Sequence, residues 1–96
     1  MQLEWDEEKN RSNFAKHGVS FDYAVCIFDG PTVSWPDTRR EYGETRTHSL
    51  GRVDKVLILA VIHIDRAGVT RIISARRAHR VERNIYEKAI LKTTHN

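Results

Sequence analysis

The sequence holds a single cysteine, Cys26, in 96 residues. No disulfide can form within it, and no cysteine-based metal site can be assembled. Long hydrophobic runs are missing too. The longest, Val56 to Ile62, is seven residues, far short of the ~20 that a membrane-spanning helix needs. The opening Met1-Gln2-Leu3-Glu4-Trp5-Asp6 has no basic stretch followed by an apolar one, so no secretory leader is expected and the protein reads as cytoplasmic. The phosphate-cradling patterns GxxxxGK[ST] and GxGxxG do not occur. The five histidines, at 17, 48, 63, 79 and 95, include no pair four apart and no HExxH. Neither a nucleotide cofactor nor a metal is therefore expected. Aromatic residues make up only 8%, so Trp5 and Trp35 are expected to serve the core. Cys26 is expected to be a core residue and not a nucleophile. There is no internal repeat, linker or low-complexity stretch.

What remains is the composition of one small soluble domain, residues 1–96, with 40% hydrophobic and 30% charged residues. Its charge is uneven. Residues 1–48 carry six basic and nine acidic side chains, and residues 49–96 carry ten and four. Five arginines, at 71, 76, 77, 80 and 83, fall within thirteen residues, with only Glu82 among them. A solvated helix face with ion pairs accounts for such a cluster. A surface facing a polyanion does so as well, and guanidinium suits bidentate phosphate contact better than ammonium does.

The periodicity predicts α+β: two N-terminal helices, an antiparallel sheet of about four strands, and a C-terminal helix. Asp6 is a natural N-cap, with Glu7 and Glu8 in the first turn, Lys16 and His17 in the last, and Gly18 beyond. Phe14 and Ala15 supply its apolar side. Ser20 caps a second, short helix with Phe21, Ala24, Val25 and Phe28 on one face, ended by Asp29-Gly30-Pro31. Strands are expected at Thr32–Trp35, stopped by Pro36, at Glu44–Leu50, at Lys55–Ile64 and at Val69–Arg76. Turns fall at Arg52-Val53-Asp54 and Asp65-Arg66-Ala67-Gly68. From Ala78 the period becomes helical, with Val81, Ile85 and Ala89 on the packing face.

Regular hairpins would set Leu50 opposite Lys55 and Ile64 opposite Val69. Glu44, Arg46 and His48 would then share a face with Leu57, Leu59, Val61, His63, Thr70, Ser74 and Arg76. Val56, Ile58, Ala60, Ile62, Ile73 and Ala75 would form the core face. A one-residue bulge reverses this assignment, and the Thr45/Thr47/Ser49 parity is equally polar.

These residue types suit cleavage of RNA. The ribose 2′-hydroxyl is the nucleophile and belongs to the substrate. The protein has to supply a base, an acid for the departing 5′-oxygen, and cations for the phosphate. Glutamate or histidine serves as base; histidine, lysine or tyrosine as acid; arginine as phosphate ligand.

Four stretches together resemble the BrnT family of bacterial toxins. They are Trp5-Asp6 with Lys9 and Asn13; Lys16-His17-Gly18-Val19 with Phe21 and Ala24; Tyr42-Gly43-Glu44 with Arg46; and Ile72-Ile73-Ser74-Ala75-Arg76-Arg77-Ala78 with Glu82, Arg83 and Tyr86. The resemblance covers about residues 3–90. It implies an RNase toxin of a type II toxin–antitoxin system with a RelE-like fold, inhibiting translation. It also implies neutralisation by a BrnA-like ribbon-helix-helix antitoxin, with promoter DNA met only through the complex. By this resemblance at least one of Arg76 and Arg77 binds phosphate or stabilises the transition state, only one facing the scissile phosphate because their parities are opposite, against an ion pair with Glu82 or Glu87. Glu44 is the base and Arg46 a phosphate ligand, against a surface salt bridge. Lys16 and His17 bind RNA or supply the acid, against helix capping. Arg80, Arg83 and Tyr86 meet RNA, Tyr86 otherwise packing in the core. His63 is expected as a satisfied, half-buried histidine. A non-catalytic module binding RNA or antitoxin as co-repressor is the runner-up, and a toxin acting on DNA or protein comes third.

Overall fold

A carboxylate, an αL glycine and a hydroxyl punctuate the N-terminal third. Asp6 accepts from the backbone N–H groups of Glu8 and Lys9 and opens α1 (Glu7–His17), which Gly18 closes at φ 71°. Ser20 accepts from Tyr23 N–H and opens α2 (Phe21–Ala24), which runs into a 3₁₀ helix over Val25–Asp29. In this computed structural model, residues 1–39, 41 and 43–94 are described, the last two without their side chains. The expectations for Arg40, Tyr42, His95 and Asn96 lie outside the described residues.

Five strands follow or precede these helices: β1 (Gln2–Glu4), β2 (Thr32–Asp37), β3 (Arg46–Val53), β4 (Leu57–Arg66) and β5 (Val69–Arg77); α3 spans Arg80–Thr94. Their order across the sheet is β1-β5-β4-β3-β2. The expected α+β class holds, but the sheet is mixed, with a fifth strand that the sequence reading did not foresee. β1 pairs parallel with β5 through Gln2–Val69 to Glu4–Arg71. Three residues are too few to show an alternating pattern. β2 continues through Pro36 to Asp37 instead of stopping there, because an edge strand can spare the N–H that proline lacks.

The register also differs from the regular-hairpin expectation. Val53 pairs with Leu57 and Leu50 with Ala60, around a turn in which Asp54 and Lys55 take positive φ. β4 and β5 join through Ala67-Gly68, both at positive φ, and Arg66 pairs with Val69. Between Ile62–Ser74 and His63–Ile72 the ladder slips by one residue, leaving Ile73 as a bulge. The β3–β4 shift moves His48 to the face of Ile58, Ala60 and Ile62. The bulge moves Ser74 and Arg76 to that face and Ala75 to the other.

Both faces are therefore core. The back face carries Val53, Leu59, Val61, Ile72 and Ala75 against Val19, Phe21, Ala24 and Ile27. The front face carries Leu50, Ile58 and Ala60 against Ala78 and Tyr86, with Ile90, Val33 and Trp35 beside them. Gly51 lets the 3₁₀ helix lie directly on β3: a Cβ there would stand 2.4 Å from Ile27 Cβ. Two expected packing faces are corrected. In α1 the buried residues are Asn10 and Asn13, while Phe14 is 57% exposed. In α3 the buried anchor is Tyr86, while Val81 is 68% exposed. Cys26, expected in the core, is exposed.

Candidate active site

Arg76 and Glu82 form the hub of the front face. The bulge at Ile73 turns Arg76 toward α3, whose first turn brings Glu82 back over the sheet. Arg76 Nη1 and Nη2 donate to Glu82 Oε1 and Oε2 at 2.8 and 3.0 Å. Glu82 Oε1 also accepts from His79 N–H at 2.8 Å, as the acidic member of a helix cap does. Burial opposes ionisation of Glu82, but Arg76 and the His79 N–H override it and hold its carboxyl at about 2. His48 Nε2 lies 3.0 Å from Glu82 Oε2, close in distance but without hydrogen-bond alignment. Trp35 stacks on the imidazole, with ring centroids 4.5 Å apart and planes at 22°. Burial, with Arg76 adding to it, pushes His48 below its ordinary value despite the Glu82 charge. One row further along the sheet, Asp37 pairs with Arg46 in the ladder. Arg39 clamps the buried Asp37 carboxylate through Nε and Nη2 at 2.8 and 3.0 Å, holding it below the usual carboxylate range.

The other wall comes from α1, which replaces β1 along the β5 edge. Asn13 Nδ2 donates to Ala75 O at 2.8 Å, and Ala75 N–H donates to Asn13 Oδ1 at 3.2 Å. This amide clamp mimics a missing strand. It sets Lys9, Ser12, Lys16 and His17 beside Ile73 and Ser74 around a cavity of about 230 Å³. His17 is half-buried, and its pKa falls below the ordinary 6.5 through burial first, then the charges of Lys16 and Arg76. Near neutral pH it is thus an uncharged imidazole among cations, a proton acceptor within electrostatic range of an arginine.

The remaining expected residues lie elsewhere. Glu44 pairs with Arg66 beyond the far end of β3, several rows from Arg76. Arg77 pairs with Leu59 in the ladder, so it sides with the back face, and opposite parity separates it from Arg76. Arg80 and Arg83 are exposed on the first turn of α3, with Arg83 Nη1 donating to Ala78 O. Tyr86, expected among the RNA-binding residues, is withdrawn from the surface: it is 2% exposed and its hydroxyl donates to Pro31 O at 2.9 Å. His63 is buried and satisfied between Ser49 Oγ and Asp65 Oδ1, at 2.7 and 3.0 Å. His48 was grouped with Glu44 and Arg46 in the sequence but not singled out. Its link to Glu82 depends on a register that side-chain types do not encode. Among the described residues, no three His, Cys, Asp or Glu side chains cluster as metal ligands, and no helix is long and apolar enough to cross a membrane.

Comparison with known proteins agrees with the four-part resemblance. A family model described as the ribonuclease toxin BrnT of type II toxin–antitoxin systems matches residues 5–82. The crystal structure of the Brucella abortus ribonuclease toxin BrnT, at 1.1 Å resolution, superposes with a TM-score of 0.67 and 29% identity. The match covers 83% of this chain and 99% of the Brucella chain. No curated protein matches. With most of its length inside the family model and its fold shared with a solved member, this chain belongs to the BrnT ribonuclease toxin family of type II toxin–antitoxin systems.

Proposed function

We propose that this chain is a metal-independent endoribonuclease that cuts RNA by attack of the substrate's own 2′-hydroxyl, and that its centre lies at the β5 edge between α1 and α3. The observation that carries this reading is His17, depressed by burial, Lys16 and Arg76, on a cavity that also presents Lys9, Lys16 and Ser74. His17 takes the 2′-hydroxyl proton. Arg76, oriented by its two bonds to Glu82, stabilises the charge gathering on the phosphorane. Lys16 protonates the departing 5′-oxygen. Arg80 and Arg83 meet flanking phosphates, and Arg46 lends positive potential to the same face. Glu82 is not the base, since a carboxyl held near 2 has little affinity for a proton at neutral pH.

A BrnA-like ribbon-helix-helix antitoxin would neutralise such a centre by covering the arginines with acidic or apolar residues. A toxin so held belongs in the cytoplasm, where its substrate is RNA under translation. A RelE-like relationship fits the same picture of helices, sheet and final helix.

One observation favours the non-catalytic alternative: Glu82 compensates Arg76 fully in the free protein. The two readings part in a single assay. Purified protein, free of partner, is incubated with mixed RNA in EDTA beside the Arg76→Ala and His17→Ala variants. The catalytic reading expects 2′,3′-cyclic phosphate ends from wild type and losses of about 100-fold or more in the variants. RNA bound but intact, with translating ribosomes absent and then present, would establish the binding module instead.

A further inference from the structure

A second concave site lies two to three rows along the front face from Arg76, where the sheet meets β1. It encloses about 400 Å³ and is lined by Glu4, Glu44, Ile64, Arg66, Val69 and Arg71, a size within the ~300–1,000 Å³ range of small-ligand clefts. Its polar groups come as two opposed pairs. Arg71 Nη1 donates to Glu4 Oε2 at 2.8 Å, and Arg66 pairs with Glu44. Ile64 and Val69 form the apolar floor. The parallel pairing of β1 with β5 puts Glu4 level with Arg71, and the loop before β3 brings Glu44 across to β4.

On a basic protein this site is electrically balanced. Two carboxylates repel a phosphate as strongly as two guanidiniums attract it. A neutral ring with donors on one edge and acceptors on another suits the site better. Among the four RNA bases, guanine presents that pair of edges. O6 and N7 accept from an arginine fork, and N1–H and the N2 amino group donate in parallel to a carboxylate. Arg71 and Arg76 stand opposite Ile64 and Ala60 on β4, four ladder positions apart because of the bulge, or about 13 Å of strand. That distance is too long for the nucleotide being cut and suits a neighbour along the same chain.

Resting on the ribonuclease reading for its setting, we infer that the cleft lined by Glu4, Glu44, Arg66 and Arg71 is a base-reading subsite for a single-stranded guanine flanking the cleavage point. The paired state is the resting state of the site. The base enters over Ile64 and Val69, and one arginine and one carboxylate exchange their intramolecular bonds for paired bonds to the ring. The carboxylates set the preference, because adenine offers them one donor group and inosine lacks the N2 amino group.

The test uses two sets of short single-stranded oligonucleotides, one of 2′-deoxynucleotides that cannot be cut by 2′-hydroxyl attack and one of RNA. Each set is identical except for guanine, inosine or adenine at one position. With wild-type protein, fluorescence anisotropy on the deoxy set should give at least about tenfold tighter binding for guanine than for inosine or adenine. In at least one of Glu4→Gln and Glu44→Gln the three affinities should come together, with the adenine and inosine strands tightening as the repelling charge is lost. Equal binding of all three by wild type overturns the subsite, as does a guanine preference that survives in both variants. The RNA set judges the catalytic reading separately. Strands bound with guanine preference but never cut defeat that reading alone, and strands cut without base preference defeat the subsite alone.

Discussion

At the scale of single residues, charge placement does most of the explaining. Arg76, Glu82 and His48 come from β5, α3 and β3, and their meeting gives Glu82 a carboxyl near 2 against an ordinary 4.5. A depressed acid stabilises the fold above its unfolded pKa and loses that stabilisation as pH falls through its folded value. Wild type should therefore exceed Glu82→Gln by about 2 kcal/mol at pH 7. The gap should narrow from about pH 4.5 and close near pH 2, read from denaturant melts across that range. His17 sets a different profile. With its pKa below 6.5, kcat/KM for RNA should rise with pH along an acid limb below 6.5 and then level off. A limb that persists unchanged in His17→Ala would assign it to another group. The residue types of this centre were readable in the sequence, and so was the Arg76–Glu82 pairing as one of two options. The role of His48 was not, since its neighbours follow from pairing register and not from spacing along the chain.

At the scale of elements, caps and turns declared themselves and packing faces did not. Asp6, Gly18 and Ser20 each punctuate the chain as their chemistry demands. The inward face of α1, by contrast, is amide where the sequence pointed to Phe14. A helix that closes a strand edge needs hydrogen-bonding groups opposite that edge, and Asn13 supplies both a donor and an acceptor to Ala75. Replacing it should be costly because it strands three buried backbone groups, the N–H and C=O of Ala75 and the C=O of Val19. Asn13→Ala is expected to lose about 2–4 kcal/mol, with the Ala75 amide proton losing protection in hydrogen exchange. Likewise α3 is rotated from its apparent apolar stripe. Glu82 is tied to Arg76, and the Tyr86 hydroxyl is tied to Pro31 O. Those two polar anchors decide which side faces the sheet and leave Val81 outside. The bulge at Ile73 leaves no mark in the local sequence. One extra residue changes the face of Arg76, and its hydrophobic neighbours read the same either way.

At the scale of the whole molecule, the arginine run was the most legible signal and the mixed sheet the least. The arginine run falls on β5 and the first turn of α3, with Arg76 on the front face and Arg77 on the back. If Lys9, Lys16, Arg76, Arg80 and Arg83 together neutralise about three to five phosphates, single-stranded RNA binding should weaken with a log–log salt slope of about −2 to −4. A titration from low to high potassium chloride measures it, and a slope near zero would remove the electrostatic account. β1 escaped the sequence reading because three residues pairing with partners 67 positions later leave no local trace.

That long-range closure has a consequence for how the protein is made. Synthesis is vectorial, at about 5–20 residues per second. α1, with Lys16 and His17, is made several seconds before the ribosome has added Arg76 and Glu82. Until then neither β5 nor its edge exists, Asn13 has no strand to clamp, and Gln2–Glu4 have no neighbour to pair with. The nascent chain thus carries one half of the proposed centre without the other while it is still attached to a machine built largely of RNA. The proposed centre therefore cannot assemble before β5 and the first turn of α3 have been made, however early its helix is complete.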